Sequence, residues 1–140
     1  MTDRKYLPTF ADLVDRLSIV MLKQIRIPEN REAYQREAEL IEYDLNRIAP
    51  PESATITARG IRMIMLIMLA NDTIWLSESK ARAGGSEQDK LLKGSHSING
   101  VRNRAKNELA NMTGDRVDLK IDSLAADLLP EFGNWDGLFD

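Results

Sequence analysis

The chain contains no cysteine and only 1 histidine, and these scarcities exclude several kinds of site. Without cysteine there is no disulfide framework, no thiolate ligand for a metal ion and no cysteine nucleophile. A glycine-rich phosphate loop, zinc-ligand spacing and a Ser/His/Asp signature are also lacking. The sequence therefore offers no familiar catalytic motif, and it names no cofactor and no metal site.

Long hydrophobic runs are lacking as well. The unbroken apolar run at residues 63–70 is less than half of the length that spans a bilayer, and the N-terminus has no apolar signal core. We therefore expect a soluble, cytoplasmic protein without a membrane partner. At 140 residues the chain fits one domain with a single core.

Positive charge is concentrated in one segment, although the whole chain has a formal net charge of -3. The net charge is +2 over residues 1–28, -4 over 29–56, +4 over 57–114 and -5 over 115–140. This basic segment favours a small anionic ligand, whereas a general nucleic-acid-binding surface would need a more basic domain. We therefore expect a small anionic molecule as partner and no nucleic acid.

Apolar residues recur at helical spacing through most of the chain, and no alternating run predicts a strand. Proline and paired glycine interrupt the pattern and separate the elements. The predicted helices cover residues 10–27, 28–49, 53 or 57 to 83, 86–112 and 115–129. The sequence therefore predicts an all-α fold: a single-domain bundle of about five helices over residues 1–129, with a long buried central helix. An acidic, aromatic tail follows at residues 130–140.

The third helix changes character along its inward stripe. Beyond residue 70 its apolar face continues as four residues that lie within roughly 60° of one another at about 100° per residue. These residues are Asn71, Trp75, Glu78 and Arg82. They offer an amide, a flat ring, an acceptor and a planar cation, a set that can hold a polar, flat or phosphorylated molecule. The alternative is that Trp75 is core and that Glu78 and Arg82 form an ordinary surface pair.

The fourth helix carries a second polar stripe, about 120° wide on the helical wheel. Its members are Leu92, His96, Asn99, Arg102, Asn103 and Lys106. Asparagine is a poor helix former, so two asparagines four positions apart in mid-helix need an explanation. We interpret Asn99, Arg102 and Asn103 as the wall of a pocket that faces the third helix. The alternative is a solvated basic face closed by hydrogen bonds between helices, and we expect His96 to be a satisfied or exposed histidine.

Carboxylates on the second helix allow a different hypothesis, a magnesium site. Glu39 and Glu42 share a helix face, Asp44 is close by, and Glu78 could join them. Such a site would make the chain a magnesium-dependent phosphohydrolase that resembles the all-helical nucleoside triphosphate pyrophosphatases. Because the whole second helix is rich in glutamate, a solvated acidic face is the alternative.

Three stretches carry a combination of motifs. The first is PTFADLVDRLSIVMLKQIRI, in which Asp15, Arg16, Leu17 and Ser18 form an acidic-Arg-Leu-Ser core that Lys23 follows. The second is NDTIWLSESKAR, with Asn, Trp, Glu and Arg at a regular spacing, and the third is INGVRNRAKNEL. Together they resemble an uncharacterised all-helical domain family of bacteria and phages, often encoded among genes for surface-polysaccharide synthesis.

The resemblance implies a helical fold and a functional focus, but no known reaction. The residues of that focus are Asn71, Trp75, Glu78, Arg82, Asn99, Arg102 and Asn103. Two positions depart from the family's pattern, since Arg104 stands where an acidic residue is usual and Gly100 replaces a longer side chain.

Three hypotheses of function follow. In the first, the third and fourth helices enclose a small anionic ligand, such as a nucleotide or sugar nucleotide, with Arg82 and Arg102 on phosphate and Trp75 stacked on a ring. In the second, the chain is a structural or interaction protein whose polar stripes pair without a ligand. The third is the magnesium-dependent enzyme. The aromatic tail either docks back on the bundle or packs on a neighbouring protomer, which allows a homo-oligomer.

Overall fold

The described part of the chain is all-helical, as the sequence predicts. A computed structural model describes residues 6–48, 56–85, 88–117, 133–135 and 137–140, with the backbone alone for residues 89–93. The α-helices are α1 (Phe10–Arg26), α2 (Arg31–Ile48), α3 (Ala58–Arg82) and α4 (Gln88–Thr113), and a short 3-10 helix covers Pro28–Asn30. These four α-helices match the first four predictions to within a few residues. Of the predicted fifth helix only residues 115–117 are described, and they are not helical; its other residues lie outside the described part.

Local signals in the sequence explain where α1 begins and where α3 begins and ends. Thr9 Oγ1 accepts a hydrogen bond from the Asp12 backbone N–H at 3.2 Å, and Asp12 Oδ2 accepts one from the Thr9 N–H at 3.0 Å, which caps α1 reciprocally. Thr57 caps α3 by accepting from the Gly60 N–H at 3.1 Å. Gly84 follows α3 with a φ of 84°, a left-handed conformation that favours glycine.

α2 packs mainly on α1, along a narrow apolar seam. Ala38 and Ile41 are buried against Leu13 and Val20 of α1. Tyr34 lies at the edge of this cluster. Most of the remaining surface of α2 is exposed and charged, so this helix supports α1 and contributes little to the main core.

The main core lies between α3 and α4, which make the most extensive helix contact of the described chain. Met63 and Ile67 of α3 and Ile98 of α4 are completely buried. Other buried members of the core are Phe10, Ala11, Leu66, Ala70, Val101, Ala105, Leu109, Ala110 and Trp135. Because α1 also contacts both helices, it closes one side of the α3–α4 pair and brings a third set of side chains to it.

One face of α3 is exposed, although the sequence predicts a long buried central helix. This face, the α3 outer strip, consists of Ile61, Met65, Leu69 and Leu76, with exposed fractions of 47%, 61%, 53% and 47%. The reason is geometric: α4 and α1 cover only part of the helix circumference. By length and composition α3 alone among the described helices is apolar enough to cross a membrane, a test that core helices of soluble proteins also meet.

The described tail residues dock on the bundle of their own chain. Trp135 is 8% exposed and joins the main core, and Phe139 packs against that core. The Phe139 carbonyl accepts a hydrogen bond from Arg59, and the Arg104 guanidinium lies 4.0 Å from the centroid of the Phe139 ring. Of the two interpretations of the tail, this arrangement follows the first, in which it packs on its own helices.

Candidate functional site

An open cavity of about 460 Å³ lies where α1, α3 and α4 meet. Five of the seven predicted site residues line it: Asn71, Trp75 and Glu78 from α3, and Asn99 and Arg102 from α4. The other lining residues are Ile19, Leu22, Ile74, Ser95 and His96. The two polar stripes therefore face one space, one side of which is apolar.

Arg82 and Asn103, the other two predicted residues, do not line this cavity. The Arg82 side chain is 69% exposed, and its Nη1 lies 3.9 Å from Glu78 Oε2, a weak pair at the cavity rim. Asn103 lines a different groove of about 150 Å³ between α1 and α4, together with Lys106 and Arg116. Asn103 faces this second groove because the polar stripe on α4 is about 120° wide and borders both spaces.

Asn71 is the buried centre of the polar network beside the cavity. It is 4% exposed, and its Nδ2 donates to Asp15 Oδ1 and to Ser18 Oγ, both at 2.7 Å. Its Oδ1 accepts from Arg102 Nη1 at 2.8 Å. These partners fix the orientation of the amide, because the carboxylate of Asp15 can only accept and the guanidinium of Arg102 can only donate. Asn71 thus ties α1, α3 and α4 together.

Arg102 is held at the cavity by amide oxygens. Besides its bond to Asn71, its Nη2 donates to Asn99 Oδ1. No Asp or Glu of the described residues forms an ion pair with Arg102, and its Nε is buried without a hydrogen-bond partner among them. The guanidinium is therefore oriented by two amide groups, and no described carboxylate neutralises its charge. A guanidinium in this state favours an anion.

Ser95 adds a second unpartnered donor to the cavity wall. The residue is 5% exposed, and its Oγ has no hydrogen-bond partner in the described part of the chain. A buried hydroxyl without a partner costs about 1–3 kcal/mol, so most buried polar atoms in proteins are satisfied. Ser95 stands one helical turn before Asn99 and two turns before Arg102, and it completes a polar row along α4.

The network continues from the cavity to the surface through carboxylates on α1. Lys106 Nζ lies 3.3 Å from Asp15 Oδ2 and 3.2 Å from Asp12 Oδ1. Burial raises the pKa of Asp12, but the hydrogen bonds from Thr9 and the attraction of Lys106 outweigh it and hold the pKa below its usual value. The charge of Asp15 is thus engaged by Lys106 and by Asn71, and Arg102 does not share it.

The rim beside Trp75 carries a further cation. Arg26 forms an ion pair with Asp72, and its Cζ lies 6.0 Å from the centroid of the Trp75 ring. Trp75 therefore contacts a cation of α1 at the same time as it lines the cavity. His96 also lines the cavity and is exposed, as we expected of this residue.

Sequence reasoning missed the contribution of α1 and of Ser95. Ala11, Asp15, Ser18 and Leu22 follow one another at spacings of four, three and four, so two polar residues share a stripe with two buried apolar ones. This is the same signal that identified the stripe on α3. For Ser95 the sequence contains no comparable signal, because a lone serine on a helix is common at the surface.

The carboxylates of the magnesium hypothesis do not meet. Glu39 and Glu42 are exposed on α2, which packs mainly on α1, whereas Glu78 lines the cavity. Within the described residues no group of three or more His, Cys, Asp or Glu side chains is placed to hold a metal ion. The trio that the enzyme hypothesis needs is therefore not assembled.

Comparisons with protein-family models, with curated proteins and with solved structures found no match for the chain. The resemblance of the three sequence motifs to a bacterial and phage family therefore stays a prediction, and the site must be interpreted from its own geometry.

Proposed function

We propose that the chain is a helical binding module for a small anionic ligand, such as a nucleotide or sugar nucleotide. The ligand site is the cavity between α3 and α4, which α1 closes on one side. We propose a cytoplasmic protein without a membrane or nucleic acid partner. The predicted fifth helix would complete a single-domain bundle around α3 as its central helix.

One observation carries this proposal: Arg102 is positioned by Asn71 and Asn99 without a carboxylate partner in the described chain. A cation used only to hold helices together is usually paired with an acid, because an unpaired charge is costly away from water. Here two amides orient the guanidinium and leave its Nε–H unused. An anionic group of a ligand would accept from this donor and from Ser95.

The remaining lining residues suit the rest of such a ligand. Trp75 and Ile74 offer surface to a ring, whose stacking on an aromatic side chain is worth about 1–3 kcal/mol per base in nucleic-acid complexes. Glu78 at the rim accepts hydrogen bonds from hydroxyl or amino groups. Arg82, which lies beside Glu78, stands outside the cavity and is not needed for the proposal.

The test is ligand-induced stabilisation, followed by calorimetry. Nucleotides and sugar nucleotides at millimolar concentration are expected to raise the melting temperature, since a ligand at about 100 times its Kd stabilises by about 2.7 kcal/mol. Arg102→Met should abolish this shift. Arg36→Met, which removes an exposed arginine of α2, should preserve it.

Two results would contradict the proposal: no compound of the screen stabilises the intact chain, or Arg102→Met retains the full shift. Arg102→Lys guards against a general loss of folding, because it keeps the charge and loses the planar fork. We expect Arg102→Lys to fold normally, as judged by circular dichroism, and to bind at least ten times more weakly.

A second candidate function is self-association, and the α3 outer strip favours it. Ile61, Met65, Leu69 and Leu76 lie along one face of α3, within about 80° of one another at about 100° per residue. An antiparallel second copy would therefore meet the same apolar side chains, as a two-fold interface requires. Light scattering of the intact chain tests this: we expect a mass above the 15.8 kDa of one chain.

Leu69→Lys should then restore the monomer. Leu40→Lys, which alters an exposed leucine of α2, should leave the assembly unchanged. A monomeric intact chain at all accessible concentrations contradicts this second function and does not affect the first.

A further inference from the structure

We infer that the ligand is a singly charged anion with a ring and a hydrogen-bond donor, and that the site disfavours polyphosphates. This inference rests on the proposed function, since it concerns the same cavity. It narrows the ligand class from any small anion to one with a particular charge and shape. It also assigns a selective role to Glu78.

The charge of the lining is balanced. Among the described lining residues Arg102 is the one guanidinium or ammonium group and Glu78 is the one carboxylate. A single anionic group at Arg102 matches this arrangement. Each further phosphate would meet no second guanidinium or ammonium group among the described lining residues and would be repelled by Glu78.

The neighbouring cations outside the lining are engaged elsewhere. Arg26 does not line the cavity; its Nη2 is paired with Asp72, and its Nη1 is buried without a hydrogen-bond partner in the described part of the chain. Arg82 is mostly exposed, and its closest described acid is Glu78 itself. Neither residue offers the converging N–H donors with which proteins hold several phosphates.

Two unpartnered donors on α4 mark the places of ligand oxygens. Ser95 Oγ and Arg102 Nε are buried atoms of one face of α4, and neither has a partner in the described part of the chain. Different oxygens of the ligand would accept from the hydroxyl and from the N–H, because the two residues stand two helical turns apart on α4. Both donors belong to the polar row of α4 that forms one wall of the cavity.

The apolar lining residues on α1 and α3 determine the rest of the ligand. Ile19, Leu22 and Ile74 form an apolar surface that a ring can cover, and Trp75 adjoins it. Glu78 needs a donor, which a ligand hydroxyl or amino group would supply. A nucleoside cyclic monophosphate combines these features, because it has a flat base, free donors and a single negative charge.

The experiment compares four probes by isothermal calorimetry without divalent cations, so that phosphate charge is not masked by metal. The probes are adenosine, its cyclic 3′,5′-monophosphate, its 5′-monophosphate and its 5′-triphosphate. We expect the cyclic monophosphate to bind most tightly and both adenosine and the triphosphate to bind at least ten times more weakly. Arg102→Met should weaken the cyclic monophosphate at least tenfold.

Glu78→Gln tests whether the charge of Glu78 causes the weaker binding of the triphosphate. This change keeps the size of a half-exposed side chain and removes its charge, so we expect it to fold normally. The affinity for the triphosphate should rise at least fivefold, whereas the affinity for the cyclic monophosphate should not rise. The matched control is Glu42→Gln on the exposed face of α2, which should change neither affinity.

The outcomes separate this inference from the proposed function. Tightest binding of the triphosphate, lost in Arg102→Met, overturns the inference and leaves the anion site standing. If Glu78→Gln prefers the cyclic monophosphate over the triphosphate as strongly as the original chain does, Glu78 has no selective role. If none of the four probes binds, the ligand class inferred here is wrong, while stabilisation by other anions in the screen would still support the binding module.

Discussion

Asn71 and Arg102 are joined by a hydrogen bond of 2.8 Å from Nη1 of the guanidinium to Oδ1 of the amide. The Asn71 amide cannot be turned the other way round, because its Nδ2 donates to Asp15 and Ser18. Asn71 therefore positions the cation of the cavity and also connects α3 with both of its neighbours. Because of this double role, we expect substitution of Asn71 to affect the stability of the fold and the position of Arg102 together.

Asn71→Ala should lower the free energy of unfolding by about 2–4 kcal/mol. The change removes one hydrogen bond each from Asp15, Ser18 and Arg102, and a buried polar group left unsatisfied costs about 1–3 kcal/mol. Urea denaturation measures the loss. Asn46→Ala on the exposed surface of α2 is the control, expected within about 0.5 kcal/mol of the original chain. Equal stability of the two variants would show that the network contributes nothing.

Asp12→Asn should lower stability at neutral pH but not in acid. The folded-state pKa of Asp12 is lowered, despite the opposing effect of burial, by Thr9 and Lys106. Ionised Asp12 therefore stabilises the fold above its unfolded-state pKa of about 3.9, and this contribution is lost as the pH falls through the lower folded-state pKa.

Urea unfolding at about pH 7 and about pH 3 checks this prediction, and the loss at the higher pH should be up to about 1 kcal/mol. Asp44→Asn on the exposed face of α2 should show no such dependence. A constant difference between Asp12→Asn and the original chain at both pH values would contradict the linkage.

Two substitutions on α3 should separate its core face from the α3 outer strip. Ile67→Ala removes a completely buried side chain and is expected to cost about 2–5 kcal/mol. Met65→Ala removes a side chain that is 61% exposed and should cost less than about 1 kcal/mol in a monomer. Thermal and urea unfolding at low protein concentration give both values. Comparable losses of unfolding free energy at the two positions would mean that the α3 outer strip is buried in solution.

Trp135→Ala should destabilise the fold by about 3 kcal/mol, because the ring joins the main core. Tyr6→Ala, at an aromatic residue that is 79% exposed, is the control and should have a much smaller effect. Light scattering should give the same mass for the original chain and for Trp135→Ala. A change of mass without a loss of stability would instead favour a tail that packs on a neighbouring protomer.

The four described helices could be predicted closely from local signals. The 3.6-residue period of apolar side chains, the Thr9 cap and the breaks at proline and glycine depend on residues a few positions apart. The same period identified the polar stripes around Asn71 and Arg102. The existence of these stripes was the part of the site that helix geometry could predict.

The remainder of the site depends on which helices are neighbours. Asp15 and Ser18 entered through the packing of α1 on α3, and Ser95 became notable only when its hydroxyl was buried without a described partner. Arg82 and Asn103 share the predicted stripes but face the rim and a second groove. Helical periodicity predicts a direction around one axis, and it contains no information on where the next axis lies.

The amino-acid sequence by itself determined that the chain is helical, where its four described helices begin and end, and that polar residues interrupt the inward stripes of α3 and α4. Only the tertiary structure decided that these stripes meet α1 at one cavity, that amides hold Arg102 there, and that one face of α3 is exposed. The physical reason is range: helix formation depends on neighbours within one or two turns, whereas a cavity depends on contacts between residues far apart in the chain.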